Sequence, residues 1–262
     1  MDLGITGKWA LVTGGANGIG AGITEALARE GVNLLFTSRD PKALEAMTAT
    51  CSKIGVKSQG ILIDFLKPGW LDELGKATQD FEIDILVNNA GHNFNITDPY
   101  CPIEDWHKVM GLNFEVPVQI CNLVIPGMKK KGWGRIVNIT SCAGLENSGP
   151  VTYGVSKAAL TVYTRTMGRI LATETQNVVM SAVFPGVVVT KGGHWERVLA
   201  TNPEHARTYL KERCPLGRFG EIDEISPVVV FYCSAVASFS HGAIIPVDAG
   251  QSKHYMYFNY MD

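Results

Sequence analysis

The chain has 262 residues, 46 % of them hydrophobic and 18 % charged, with a formal net charge of −2. That is enough apolar material for one α/β domain with a substantial core. With no basic block beyond Lys129-Lys130-Lys131, the composition argues against a nucleic-acid partner.

The elements alternate along the chain. Lys8-Trp-Ala-Leu-Val-Thr13 reads as a strand over 8–13, followed by Gly14-Gly-Ala-Asn17-Gly18-Ile19-Gly20 and a helical pattern over 18–30 with Gly31 as its stop. Strand, glycine-rich turn and helix together form a dinucleotide site. The glycines let the backbone approach a pyrophosphate, and the helix N-terminus supplies free N–H donors. A second strand over 32–37 ends in Ser38-Arg39-Asp40. An acid about 20 residues beyond the glycine loop binds the ribose 2′-hydroxyl of NAD, and an arginine suits the 2′-phosphate of NADP. Position 38 is a hydroxyl and Arg39 follows, so NADP(H) is favoured and NAD(H) stays open. Asp40 also caps the next helix ahead of Pro41.

A helix over 41–54, a strand over 57–63 and a helix over 68–80 come next, then the apolar interior strand 83–87 and a long helix over 103–130. The run 134–140 is a strand that ends at Ser141. The pattern over 152–174 is a helix carrying Tyr153 and Lys157, four residues apart and therefore on one face. A strand over 178–184, a helical insertion near 195–212, a helix over 221–235 and a strand over 243–247 complete the order. The fold class expected is a Rossmann-like, doubly wound parallel sheet of about seven strands with helices on both faces, as a single domain over 1–262. Its carboxyl edge should gather Gly14, Arg39, Asp64, Asn89, Ser141 and Pro185, where open α/β sheets bind ligands.

Ser141, Tyr153 and Lys157 supply a hydrogen-bond donor, an acid-base and a charge tuner. A phenol titrates near ~10, and a nearby ammonium is expected to lower that value. This is equipment for moving a proton to or from a carbonyl or alcohol oxygen.

On these residues, together with Asn88-Asn89-Ala90-Gly91, Asn113, Pro185-Gly186 with Thr190, and Val247-Asp-Ala-Gly250, the chain resembles the short-chain dehydrogenase/reductase family along nearly its whole length. The resemblance implies a catalytic set of Asn113, Ser141, Tyr153 and Lys157. It implies that Gly14, Asn17, Gly18, Ile19, Gly20, Ser38 and Arg39 hold the cofactor's phosphate and adenosine end. Asp64 with Phe65 would meet the adenine, and Asn89, Ala90 and Gly91 would lie under the cofactor. Tyr153 and Lys157 would hold the ribose, and Pro185, Gly186, Val188 and Thr190 the nicotinamide amide. Asn113 would hold a water joining Lys157 to solvent. Two departures touch no catalytic group: Ser181 stands where many relatives have asparagine, and Ala249 replaces the first of two glycines.

The substrate is less marked. His92, Asn93, Glu146, Asn147, His194 and Trp195 make the pocket loops polar, which leans toward a small polar molecule such as a sugar derivative or hydroxy acid. A 3-oxoacyl thioester is the runner-up. A non-catalytic dinucleotide-binding sensor is the reading from another class, and retention of all four catalytic residues argues against it. His194 and His205 lack a third ligand at sensible spacing, so no metal is assigned.

The six cysteines show no C-x-x-C spacing and read as thiols of a reducing compartment. No signal pattern opens the chain and no apolar run approaches transmembrane length, so a cytoplasmic enzyme without a membrane partner is expected. Gly192-Gly193 and Pro215-Leu-Gly217 punctuate a lid over 191–215. The apolar helices around Asn113 and Tyr153 suggest a homodimer or homotetramer, with the aromatic tail over 251–262 covering a neighbouring subunit.

Overall fold

The computed structural model describes residues 1–146 and 148–252. The strands are β1 (Trp9–Val12), β2 (Asn33–Ser38), β3 (Ser58–Leu62), β4 (Ile83–Asn88), β5 (Gly134–Ile139), β6 (Val178–Pro185) and β7 (Ile244–Val247). They form one sheet in the order β3-β2-β1-β4-β5-β6-β7, with every pairing parallel. The order reverses between β1 and β4, and that switch point opens the crevice where such sheets take ligands.

The helices are α1 (Gly18–Arg29), α2 (Pro41–Ile54), α3 (Trp70–Thr78), α4 (Ile103–Met110), α5 (Val116–Lys131), α6 (Val151–Glu174), α7 (His194–Thr201), α8 (Pro203–Arg213) and α9 (Ile222–Tyr232). One face of the sheet is covered by α1, α2 and α9 through Ile23, Leu27, Leu44, Met47, Ile225 and Val229. The other is covered by α3, α5 and α6 through Leu74, Ile120, Cys121, Val124 and Leu171. Because both faces are covered, β5 and β6 are buried at every position.

Local chemistry sets the helix ends. Asp40 accepts the Lys42 N–H at 2.9 Å and Pro41 opens α2, as the sequence suggested. The cations at the end of α5 are tied down, Lys129 to Glu174 and Lys131 to Asp84.

Three expectations are corrected. The helix over 103–130 is interrupted, because Gly111–Glu115 form a π-helical turn between α4 and α5. The insertion near 195–212 is two helices, split at Asn202, whose side chain caps α8 by accepting the His205 N–H. The span 103–131, taken as one helix, is also long and apolar enough by composition to cross a membrane. Here its apolar residues Ile120, Cys121, Val124 and Met128 are buried in the core. The tail from 253 onward and Asn147 lie outside the described residues.

Candidate active site

The glycine loop leaves β1 and is stapled to the end of β4. The Thr13 hydroxyl accepts the N–H groups of Asn89 (2.9 Å) and Ala90 (3.0 Å). The Asn89 side chain donates to the carbonyls of Thr13 and Gly14. Gly14 has φ +63°, and a β-carbon at Gly20 would stand 2.2 Å from the Gly14 carbonyl oxygen. Only glycine fits both places. Asn17 occupies the N-cap of α1, yet its side chain makes no capping bond and reaches the Ser38 hydroxyl at 3.4 Å. The first N–H groups of α1, at Gly18, Ile19 and Gly20, therefore lack a side-chain cap, as an anion site requires.

At the end of β2, Ser38 also accepts the Asp40 N–H at 3.1 Å, and Arg39 is exposed beside it. Past β3, one Asp64 oxygen accepts the Leu66 N–H, and Phe65 is buried edge-on against Trp70. A dinucleotide fits this set: a side-chain-free cradle for its phosphates, uncapped helix donors, and a hydroxyl and a guanidinium at the adenosine end.

The residues expected to be catalytic come from three elements. The π turn carries Asn113, which is fully buried. Its amide donates to the carbonyls of His92 and Val109, both at 2.8 Å, and its oxygen accepts the His92 N–H at 3.2 Å. Ser141 follows β5 in extended backbone, and its hydroxyl accepts the Ala143 N–H at 3.2 Å. Tyr153 and Lys157 stand on the first turns of α6. The Ser141 hydroxyl lies beside the Tyr153 phenol and acts to lower its pKa. The Lys157 ammonium donates to the Ile139 carbonyl at 2.8 Å and sits 5.7 Å from the centre of the Tyr153 ring.

The electrostatics depart from the sequence expectation. Burial pushes the Tyr153 phenol up to about 12, against the lowering influence of the neighbouring Ser141 hydroxyl. Burial also pushes Lys157 down to about 8. Desolvation of the two groups outweighs the lowering expected from Lys157, because a low-dielectric site disfavours both charged forms.

The segment after β6 closes the far side. Gly186 donates to the Val247 carbonyl, and Val188 pairs with Gly220. A β-carbon at Gly18 would meet Thr190 at 3.8 Å, so this segment reaches back to the glycine loop. Two residues not anticipated from the sequence hold it. Gln251 accepts the Val187 N–H at 3.0 Å and donates to the Tyr209 hydroxyl on α8 at 2.9 Å. Neither sits in a motif, so no local signal could have found them.

Of the pocket candidates, His92 and Asn93 follow Gly91 directly, and Asn93 closes a turn by accepting the Asn95 N–H. His194 and Trp195 open α7, where Trp195 packs on Tyr209 (4.5 Å) and Phe219 (4.9 Å). Glu146 follows the short helical turn Cys142–Gly144, and its carbonyl accepts the Ser148 N–H. Among the described residues, no cluster of three His, Cys, Asp or Glu side chains could hold a metal ion.

A model of the family described as short chain dehydrogenase matches residues 8–197, and the chain belongs to that family. It is an NAD(P)-dependent oxidoreductase. It is 34 % identical to the 3-oxoacyl-(acyl-carrier-protein) reductase FabG of Aquifex aeolicus, over 95 % of this chain and 99 % of that protein. It is 32 % identical to D-beta-hydroxybutyrate dehydrogenase of Cupriavidus necator, over 94 % and 98 %. The crystal structure of L-sorbose reductase from Gluconobacter frateurii with NADPH and L-sorbose superposes with a TM-score of 0.87 at 29 % identity, over 96 % and 98 % of the two chains.

Proposed function

We propose that the chain interconverts a ketone and a secondary alcohol on a small polar molecule, a sugar derivative or a hydroxy acid, with NADP(H) as the favoured cofactor. The observation that carries this reading is the grouping of Ser141, Tyr153 and the buried Lys157, whose ammonium stands 5.7 Å from the centre of the Tyr153 ring. When bound, the nicotinamide supplies or accepts the hydride. Ser141 steadies the substrate oxygen and any negative charge that develops on it. Tyr153 gives its phenolic proton to that oxygen in reduction and takes it back in oxidation, help worth roughly 10²–10⁴-fold. Lys157 sets the charge beside the phenol and is within the same site to receive ribose hydroxyls. Asn113 holds the His92 backbone and thereby the rim of the cleft.

Arg39 supports NADP(H), since its exposed guanidinium flanks Ser38 where the adenosine 2′-position falls. The similarity to a hydroxybutyrate dehydrogenase and to a sorbose reductase supports a polar substrate. The similarity to FabG favours the second reading, a 3-oxoacyl thioester. Nicotinamide absorbance with sugar ketones, oxo acids and a 3-oxoacyl thioester, run with each cofactor, tests both. Turnover of the thioester alone would displace the polar-substrate reading.

The same reading makes the segment 191–215 a substrate lid and the enzyme a homodimer or homotetramer. The six cysteines are free and suit a cytoplasmic enzyme.

A further inference from the structure

The turn after β7 aims one buried amide at two separate parts of the molecule. Asp248 builds the turn. Its carboxylate accepts the N–H groups of Gly250 (3.1 Å) and Ser252 (2.8 Å), and its carbonyl accepts the Gln251 N–H at 3.0 Å. Ala249 takes φ +55° inside it, a left-handed conformation that persists in a residue other than glycine only where the surroundings fix it. Gln251 is thereby set in place, 7 % exposed. Its Oε1 accepts the Val187 N–H at 3.0 Å, and its Nε2 donates to the Tyr209 hydroxyl at 2.9 Å. A backbone N–H can only donate, so Val187 fixes which end of the amide faces it and commits the other end to Tyr209. Gly186 leaves room for this approach. A β-carbon there would stand 2.7 Å from the Asp248 α-carbon and 3.0 Å from Gln251 Oε1.

The two partners of Gln251 have different tasks. Val187 lies between Gly186 and Val188, in the segment after β6 expected to hold the nicotinamide amide. Tyr209 lies on α8 in the proposed lid, and its ring packs on Trp195 of α7 at 4.5 Å. Trp195 also packs on Phe219 at 4.9 Å, and the next residue, Gly220, donates its N–H to the Val187 carbonyl at 2.9 Å. The path therefore closes on itself. One backbone group of Val187 is held through Gln251 and Tyr209, the other through Gly220 beside Phe219, and Trp195 joins the two routes.

We infer that Gln251 is a positioning residue, whose amide couples the seating of α7 and α8 to the placing of the nicotinamide segment at Val187. This inference rests on the oxidoreductase reading and adds to it a residue that acts only through Val187 and Tyr209. When α8 moves away, the Gln251 amide loses one partner and its hold on Val187 relaxes. Hydride transfer is sensitive to misplacement of about 1 Å, which costs on the order of 10²-fold in rate. Affinity for the cofactor is carried mainly by its phosphate and adenosine contacts, so loosening this segment acts on rate.

The test uses NADPH and the fastest ketone of the panel described above. Gln251→Met removes both bonds at similar length and should lower kcat by roughly ten- to a hundredfold. The NADPH Kd, read by cofactor fluorescence, should stay near the wild-type value. The deuterium isotope effect on kcat, with NADPH labelled at the transferred hydrogen, should rise as hydride transfer becomes the slow step. Tyr209→Phe cuts only the end on α8 and should lower kcat less while raising the substrate KM. The double variant should be no slower than Gln251→Met alone, because both changes break one path. Gln251→Glu should recover part of the rate, since a carboxylate still accepts the Val187 N–H and can take the Tyr209 proton. Arg207→Gln, exposed on the same helix, should match the wild type.

An unchanged kcat in Gln251→Met, or losses that multiply in the double variant, overturns the inference. So does a rate loss that follows a lowered melting temperature, leaves the isotope effect unchanged and is not restored by Gln251→Glu, which marks a structural bond only. Exchange of the Val187 amide proton, followed by NMR without substrate, should speed up in Tyr209→Phe, and equal rates overturn the coupling whatever the substrate. A wild type that reduces no ketone counts instead against the oxidoreductase reading, and the exchange rates then decide the coupling by themselves.

Discussion

Gly91 and Asn113 are packed so closely that a β-carbon at position 91 would stand 2.6 Å from Asn113 Oδ1, and 3.1 Å from the Lys157 ammonium. Asn113 cannot easily yield, because three hydrogen bonds to His92 and Val109 fix its amide. Gly91→Ala should therefore displace Asn113 or Lys157. Overpacking of this kind costs about 1–3 kcal/mol of stability. The larger expected effect is a fall in kcat of tenfold or more, on the order of the loss that a displaced catalytic group produces, with weaker NADPH binding as well if Lys157 rather than Asn113 is the group displaced. Steady-state kinetics beside NADPH titration checks it. An unchanged kcat would mean the cleft absorbs the methyl group.

Tyr153→Phe should keep the fold and NADPH binding while lowering kcat by roughly 10²–10⁴-fold or more, since only the ionisable oxygen is lost. Cofactor fluorescence and turnover, measured on one preparation, separate the two effects. Wild-type kcat in this variant would assign the acid to another group.

Burial of Lys157 makes a stability signature. Its pKa falls from 10.5 to about 8 on folding, so between those values the unfolded chain binds more protons than the folded one. Stability then rises with pH across that window, and the penalty is complete below about 8. Its full size is on the order of 3 kcal/mol. Tyr153 has the opposite sign, since a pKa raised from 10 to about 12 gives stability that is lost as pH climbs through that range. Urea unfolding at several pH values should show the rise up to about pH 10 in the wild type and its absence in Lys157→Met. Parallel curves for the two proteins would contradict the burial argument.

Arg39→Ala should weaken NADP(H) and spare NAD(H). One lost charge-assisted contact is worth about 1.5–3 kcal/mol, or roughly ten- to a hundredfold in Kd. Equal losses for both cofactors would leave Arg39 as an ordinary surface residue.

Strands, whose apolar runs are continuous in a doubly covered sheet, were legible to within two residues at either end. So were the glycine loop, the cap at Asp40 and the Tyr153–Lys157 pair, all of which depend on neighbours in sequence. The π turn at Gly111–Glu115 was not, because one inserted residue barely disturbs the apolar spacing of Leu112, Val116 and Ile120. The raised Tyr153 pKa was missed because desolvation is a property of the packed site, while the i, i+4 spacing shows only the lysine. Gln251 was read as the start of a tail, yet it joins Val187 to Tyr209 across 64 and 42 residues. Contacts at such separation leave no periodic trace.

That same link bears on the proposed lid. Among the described residues, α7 buries no side chain and α8 buries only Ala206, so the pair holds to the body through few contacts. The Gln251–Tyr209 bond is one of these. Segments with few buried contacts open at low free-energy cost. Hydrogen exchange over residues 191–215 should slow when cofactor and substrate are both bound, and Gln251→Ala should speed it in the free enzyme. Identical protection in all three states would make the segment a fixed part of the scaffold.

Assembly is the last expectation, and α6 carries it. Val162 is 65 % exposed, Val155 45 %, Val151 43 % and Ile170 39 %, while Leu160 and Leu171 on the same helix are fully buried. The helix is thus apolar on a second face beyond the one that packs on the sheet. On the neighbouring α5, Leu123 is 39 % exposed. A self-complementary two-fold contact would bury this face on both copies at once. Sedimentation should show a dimer or tetramer, and Val162→Glu should shift it toward monomer by placing a charge in an apolar contact. A chain cut after Ser252 tests the tail separately. If the assembly survives with unchanged substrate kinetics, the tail has no part in the neighbouring pocket. A monomeric full-length chain would remove the two-fold contact itself and leave the α6 face to some other partner.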